Sequence, residues 1–174
     1  MESQVDERLD PALADQVERF RFAVLALQRS GNRILADLLR PVGLSPAQAE
    51  ILSVLDTYGT LSLRELGKLL ICEQGSPSRS VDLLVTQGLV DRRQNPDDRR
   101  AIILTLTARG RDAVPAIRAA NADLLKMIVA RIAPDTLNGL TAAIERLIVD
   151  DGLRDALNAR FRPIRDASEL PASA

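Results

Sequence analysis

The 174-residue chain has no histidine and only one cysteine, Cys72. Without histidine there is no imidazole general base, no His-based catalytic triad and no HExxH zinc site. A lone cysteine makes neither an internal disulfide nor a cysteine-rich zinc site, and its scarcity agrees with a reducing compartment. Carboxylate chemistry stays formally open, but the 24 acidic residues follow no recognisable ligand spacing. There is no nucleophile motif and no glycine-rich phosphate loop. No apolar run approaches the roughly 20 residues of a membrane-spanning helix. The stretch from Met1 to Asp10 is acidic and lacks the apolar centre of a signal peptide. These absences predict a cytoplasmic protein, not an enzyme, that uses no cofactor and no metal.

What is present is the material of a globular core, with 46% apolar and 27% charged residues. The net charge is −1, yet it is unevenly spread. Ser62 to Arg111 holds nine Arg and Lys against six Asp and Glu, a net of +3, and the remainder holds fourteen against eighteen, a net of −4. Chance alone can produce such an asymmetry. Of the 23 basic residues 21 are arginine, which fits phosphate binding and a GC-rich genome equally.

From Leu13 to Leu39, Val17, Phe20, Val24, Leu27, Ile34 and Leu38 recur at helical spacing, and Pro41 and Gly43 end the helix. Ser45-Pro46 restarts the chain as cap and first turn. Ile51, Leu52, Val54 and Leu55 form a buried stripe before Gly59. Ser62 caps a short helix with Glu65 at the capping-box position, and Leu63, Leu66, Leu69 and Leu70 make its apolar face. A turn at Ile71 to Gln74 leads to a further helix that starts near Gly75 or Ser76, buries Val81, Leu84 and Val85, and stops at Gly88. Two short helices joined by a tight turn are the pattern of a helix-turn-helix.

The period then changes. Leu89 to Gln94 reads as a strand, Asn95-Pro96-Asp97-Asp98 as a turn, and Ala101 to Leu106 as a second strand with Ile102, Leu104 and Leu106 on one face. The hairpin has a charged tip in which an Asp can hold a neighbouring Arg extended. An extended arginine suits the narrow minor groove of a duplex, where negative potential is focused; a solvated turn with paired charges is the competing reading. Thr107 caps a long helix to about Ala133, with Gly110 in its first turn and Val114, Ile117, Leu124, Leu125, Ile128 and Ile132 on its apolar side. Pro134-Asp135 starts another helix carrying Leu137, Leu140, Ile144, Leu147 and Ile148; Gly152 interrupts, and Leu153 to Phe161 adds a last helical piece. The expected architecture is mainly α with a small β-hairpin wing. An N-terminal dimerisation helix spans 12–44, a winged helix-turn-helix 45–107 and C-terminal dimerisation helices 108–161, with a loose tail over 162–174. The long helices carry stripes the central unit cannot cover, so a second copy of the chain is the economical partner.

The stretch GLVDRRQNPDDRRAIILTLTARG, from Gly88 to Gly110, resembles the wing of the MarR family of regulators. The resemblance rests on Gly88-Leu89-Val90, then Asp98-Arg99-Arg100 as the D-x-R element, then Leu106-Thr107-Ala108-Arg109-Gly110. GLSPAQAEILSVL, from Gly43 to Leu55, is similar to the family's second helix, and the likeness covers roughly residues 15–150. It implies a homodimeric winged helix-turn-helix that binds double-stranded DNA at a pseudo-palindromic operator. Repression relieved by a small ligand or an oxidant is the usual mode, and an apolar or phenolic effector suits a crevice beside the long helices. Arg100 then matches the wing arginine of the minor groove, Asp98 the acid that positions it, and Arg99 a phosphate or groove contact.

The recognition helix implied by the resemblance runs from Gly75 to Gln87. A 100° turn per residue places Ser76, Arg79, Leu83 and Thr86 outward when Val81, Leu84 and Val85 face in, with Ser80 and Gln87 on the flank. Ser76, Ser78, Arg79 and Ser80 are the expected major-groove contacts, because arginine reads a guanine edge and serine meets phosphate or base. Leu83 stands where the family often has a basic residue, and Gly75 and Pro77 make an unusual first turn. Arg92 and Arg93 lie on the first wing strand, Arg92 being the expected backbone contact; Arg64 and Lys68 are further phosphate candidates. Two other readings remain beside this one. A winged-helix module for protein contacts, without specific DNA binding, gives no reason for adjacent arginines at the tip. A helical enzyme lacks every motif named above.

Cys72 follows Leu69-Leu70-Ile71 and reads as a buried, inert thiol. Replacing Cys72 by Ser is therefore expected to leave any response to oxidant unchanged, measured as duplex binding before and after peroxide. Loss of a response would make Cys72 a sensor.

Overall fold

Local capping chemistry divides the chain. The computed structural model describes residues 10–71, 77–95 and 102–161. Within them lie α1 (Pro11–Leu39), a 3-10 turn (Arg40–Val42), α2 (Pro46–Tyr58), β1 (Leu61–Ser62) and α3 (Leu63–Leu69). These are followed by α4 (Ser78–Thr86), β2 (Val90–Gln94), β3 (Ile102–Leu106), α5 (Ala108–Val129), α6 (Pro134–Leu147) and α7 (Asp151–Phe161). The fold is mainly helical with one small antiparallel sheet, in the strand order β1-β3-β2.

Both short core helices start with reciprocal capping boxes. At α2 the Gln48 amide donates to Ser45 Oγ at 3.2 Å and the Ser45 amide donates to Gln48 Oε1 at 2.9 Å. At α3 the Glu65 amide donates to Ser62 Oγ at 3.2 Å and the Ser62 amide to Glu65 Oε2 at 2.7 Å. Each box satisfies two backbone donors that a helix start otherwise leaves open. The end of α4 is closed by Gly88 at φ 69°. Its amide donates to Val85 O and the Leu89 amide to Leu84 O, both at 2.9 Å. This is a Schellman closure, which needs the left-handed conformation that glycine adopts without strain.

The core is aliphatic. Ile51, Leu52 and Leu55 of α2, Leu61 of β1, Leu66 of α3, Val81 and Leu84 of α4, Val90 of β2, Leu104 of β3 and Ile117 of α5 are fully buried. The helix periodicity placed these side chains inward because one face of each short helix has nowhere else to bury. Strand β1 had no such signal. Its two residues pair with β3, Leu61 opposite Leu104 and Ser62 opposite Ile103. In the hairpin Val90 lies opposite Leu106, Arg92 opposite Leu104 and Gln94 opposite Ile102. The period-two alternation holds, but Ile102 is exposed because the hairpin has by then run past the core.

Two further differences concern the long helices. The helix expected to reach Ala133 ends at Val129, and its stripe is split. Val114, Ile117 and Ala120 are buried, whereas Leu125, Ile128 and Val129 are exposed. The fourteen residues of α6 include none that is buried. Apolar periodicity reports a face, not the neighbour that covers it. The last helix, α7, packs against α3, and its Ala156 is buried.

A compact polar knot joins wing to long helix. Thr107 donates its amide to Leu89 O at 3.1 Å and its hydroxyl to Gly88 O at 2.7 Å, and Oγ1 accepts the Gly110 amide at 3.0 Å. Leu89 O approaches Gly110 so closely that a Cβ there would sit 2.1 Å from it. Replacing Gly110 by Ala is expected to cost about 2–4 kcal/mol, because a backbone atom must move to admit the methyl group. Chemical denaturation would read this as a lower midpoint, and an unchanged midpoint would contradict the close approach.

Candidate nucleic-acid interface

Helix α4 presents one exposed face. Val81 and Leu84 are buried, Val85 is partly buried, and Arg79, Asp82, Leu83 and Thr86 are exposed. Their spacing of three, four and seven places them in one stripe. Leu83 is half-exposed, at 51%. No ion pair within the described residues engages Arg79. Ser78 and Ser80 are half-buried and each engages a neighbour. The helix is described from Ser78, with Pro77 in the cap position. Ser76, Cys72, Asp98, Arg99 and Arg100 lie outside the described residues.

Arg92 shares the core-facing side of β2 with Val90. From there its guanidinium donates to Asp82 Oδ1 of α4 at 2.6 Å. Helix and wing are therefore tied across their junction, with Asp82 neutralised. Arg93, on the opposite face, donates through Nε to Asp91 Oδ2 at 2.6 Å and has a more exposed side chain, 73% against 35% for Arg92. Arg64 and Lys68 are exposed on α3. Arg109 donates to Gln87 O at 2.9 Å, at the end of α4, and Arg111 to Leu106 O at 2.9 Å. These two cations of the basic central stretch thus complete backbone acceptors.

Sequence reasoning missed Asp82, Arg109 and a buried acid, Glu50. Glu50 lies on α2, a helix buried on most of its circumference. It accepts the Ile71 amide at 2.9 Å, and Arg160 of α7 pairs with it. Burial of α2 on both sides was the one available signal. The partner 110 residues away had none. Among the described residues no group of three or more Cys, Asp or Glu is placed to hold a metal ion, and no helix is long and apolar enough to cross a membrane.

A two-helix unit, its sheet and the hairpin joined to it form a winged helix-turn-helix. Residues 44–102 match the model of the MarR family. Over these 59 residues the chain is similar to MarR-family regulators. It is 33% identical over 79 residues to the multiple antibiotic resistance protein MarR of Escherichia coli (strain K12), a match covering 45% of this chain and 55% of that protein. Its likeness to the transcriptional repressor MdtR of Bacillus subtilis (strain 168) is 30% over 89 residues, 49% of this chain and 57% of that one. The chain thus aligns with little more than half the length of these relatives. Among solved structures, a MarR mutant from Escherichia coli complexed with operator DNA superposes with a TM-score of 0.70 at 22% identity. That match covers 77% of this chain and 96% of the other. A putative MarR-like regulator from Bacillus cereus superposes with a TM-score of 0.69 at 17% identity, over 76% and 95% of the two chains. At these identities the likeness is one of fold.

The first helix of the two-helix unit contains a titrating cap. Glu65 is held below its ordinary value of 4.5 by hydrogen bonding from the Ser62 side chain, then from the Ser62 backbone, with a smaller pull from Lys68 outweighed by desolvation. Its folded pKa is depressed, so its contribution is present above the unfolded value and is lost as pH falls through the folded one. Glu65→Gln keeps an acceptor oxygen but does not titrate. Thermal unfolding on descending pH below 4.5 is expected to fall more steeply for the natural chain than for E65Q. Parallel curves would show that the cap contributes nothing pH-dependent.

Proposed function

We propose that this chain is a MarR-family regulator: a homodimeric, sequence-specific DNA-binding regulator of transcription, acting in the cytoplasm as a repressor that a small ligand releases, and not as an enzyme. The observation that carries the reading is the joined helix and wing. Helix α4 presents Arg79 on an outer face, and the Arg92–Asp82 pair fixes the hairpin beside it. The structurally similar MarR mutant was solved with operator DNA, and the relative MdtR is named a repressor.

In this proposal α4 enters the major groove. Arg79 reads a guanine edge, and Ser76, Ser78 and Ser80 meet phosphate or base along the helix start. The wing follows the backbone to the minor groove, where Arg100 enters, Asp98 orients it and Arg99 supports it. Arg92 is the backbone contact on the first wing strand, reached from its pairing with Asp82. The proposed division is a dimerisation helix over 12–44, the winged unit over 45–107 and C-terminal dimerisation helices over 108–161. Exposed apolar side chains support a second copy as the partner: Leu13, Val17 and Phe20 on α1, Leu125 and Val129 on α5, and Leu140, Ile144 and Leu147 on α6. Two-fold pairing sets the recognition helices about one DNA turn, roughly 34 Å, apart. An apolar or phenolic effector that favours another spacing then shifts the population away from the binding form.

The wing supplies the test. Replacing Arg100 by Ala is expected to weaken duplex binding by about 1–3 kcal/mol while the thermal midpoint stays unchanged. Fluorescence anisotropy at two salt concentrations reads the first, and circular dichroism the second. Unchanged affinity at both concentrations would remove Arg100 from the interface.

A further inference from the structure

Helix α7 is anchored where the winged unit is most sensitive to displacement. It is connected to α6 by residues 148–150 alone. Asp150 opens it, accepting the Leu153 amide through Oδ1 at 3.0 Å and the Arg154 amide through its carbonyl, also at 3.0 Å. From that start the helix runs back over α3. Ala156 is buried, and Ala159 packs on the core of the unit. The Tyr58 hydroxyl, at the end of α2, donates to Ala159 O at 2.9 Å.

One turn's end of this helix also reaches a buried charge. The Glu50 side chain is 4% exposed, and Arg160, 34% exposed, pairs with Oε1. The same oxygen accepts the Ile71 amide at 2.9 Å. Ile71 is the second residue of the connection that leads from α3 towards α4. A buried carboxylate is tolerated where opposite charge and donors surround it, and it moves when they are removed. Arg160 thus holds the acceptor that holds the chain where it leaves α3.

We propose that Arg160 is a positioning residue for duplex binding, and that α7 is a strut transmitting the placement of α6 to the backbone at Ile71, where the chain leaves α3. The inference rests on the DNA-binding reading above. Among the described residues the contacts run from α7 through Glu50 to Ile71. A partner copy seated on α6 sets where that helix lies, and the short connection sets α7. Arg160 then sets the Glu50 carboxylate, and Glu50 sets the Ile71 amide. From α6 to Ile71 each link is a bond or a short covalent span, so coupling needs no distant effect. Arg160 itself touches no nucleic acid in this arrangement. It lies at the far end of the unit's chain of contacts, acting through another side chain.

The experiment compares the natural full-length chain with Arg160→Met, Arg160→Lys, Glu50→Gln and the R160M/E50Q double variant. The probe is a duplex recovered from random sequence by the natural protein, with affinity measured across a salt series. R160M keeps an unbranched side chain but removes the charge, and is expected to weaken binding roughly tenfold. Its slope of log affinity against log salt should stay unchanged, because no phosphate contact is lost. R160K should recover most of the affinity, and R160M should add little in the E50Q background, since both act through one acceptor. Sedimentation should show the same oligomer for all variants.

Natural affinity in R160M, with only its thermal midpoint lowered, would reduce α7 to a structural brace and overturn the proposal. A slope lowered by about one unit would make Arg160 a direct phosphate contact instead, and additive effects in the double variant would break the route through Glu50. If R160M fails to fold, R160K and E50Q still decide the matter by their affinities: natural binding in E50Q would overturn it. Absence of binding by the natural chain to any duplex would remove the functional reading itself, a result distinct from all of these.

Discussion

A single copy of this chain leaves a long apolar surface uncovered. Helix α6 buries no residue, the distal half of α5 turns Leu125 and Val129 outward, and the first turns of α1 expose Leu13, Val17 and Phe20. Full burial of one such side chain is worth about 1.5–3 kcal/mol, so several left in water oppose the monomer strongly. Everything proposed for function follows from satisfying that constraint with a second copy. In that proposal a two-fold partner would cover the face, and the same symmetry would bring two helix-turn-helix units to one duplex.

The unit that would be presented is held by short-range polar closures around an aliphatic core. Capping boxes start α2 and α3, the Gly88 closure ends α4, and Thr107 gathers Gly88 O, Leu89 O and the Gly110 amide into one knot. Arg92 and Asp82 join helix to wing. An exposed ion pair is worth only about 0–1 kcal/mol, so this link orients the hairpin more than it stabilises it. Arg118 of α5 and Asp56 of α2, 2.5 Å apart, form a second such link, from the long helix to the winged unit.

Much of this was legible because it is local. Ser45, Ser62 and Thr107 declare helix starts through residues three positions on, and Gly88 and Gly110 stand where a side chain would be strained or would collide. The outward stripe of α4 follows from 3.6-residue periodicity, and Arg79, Leu83 and Thr86 are exposed as that period requires. The rest depended on distant partners. Two residues, Leu61 and Ser62, cannot show a strand period. The stripe of α5 could not say that its two halves have different surroundings. Arg92 carried no mark of its pairing with Asp82, and Glu50 none of Arg160. Asp98, Arg99 and Arg100 lie outside the described residues, so the roles proposed for them rest on the resemblance to the family's D-x-R pattern.

The most direct test of the paired-lobe account is selection of bound sequences from a pool of random duplexes with purified protein. The account predicts an enriched inverted repeat whose half-sites are centred about one helical turn, roughly 10 base pairs, apart. Recovery of no sequence above background, or of a single half-site without its inverted mate, would contradict it.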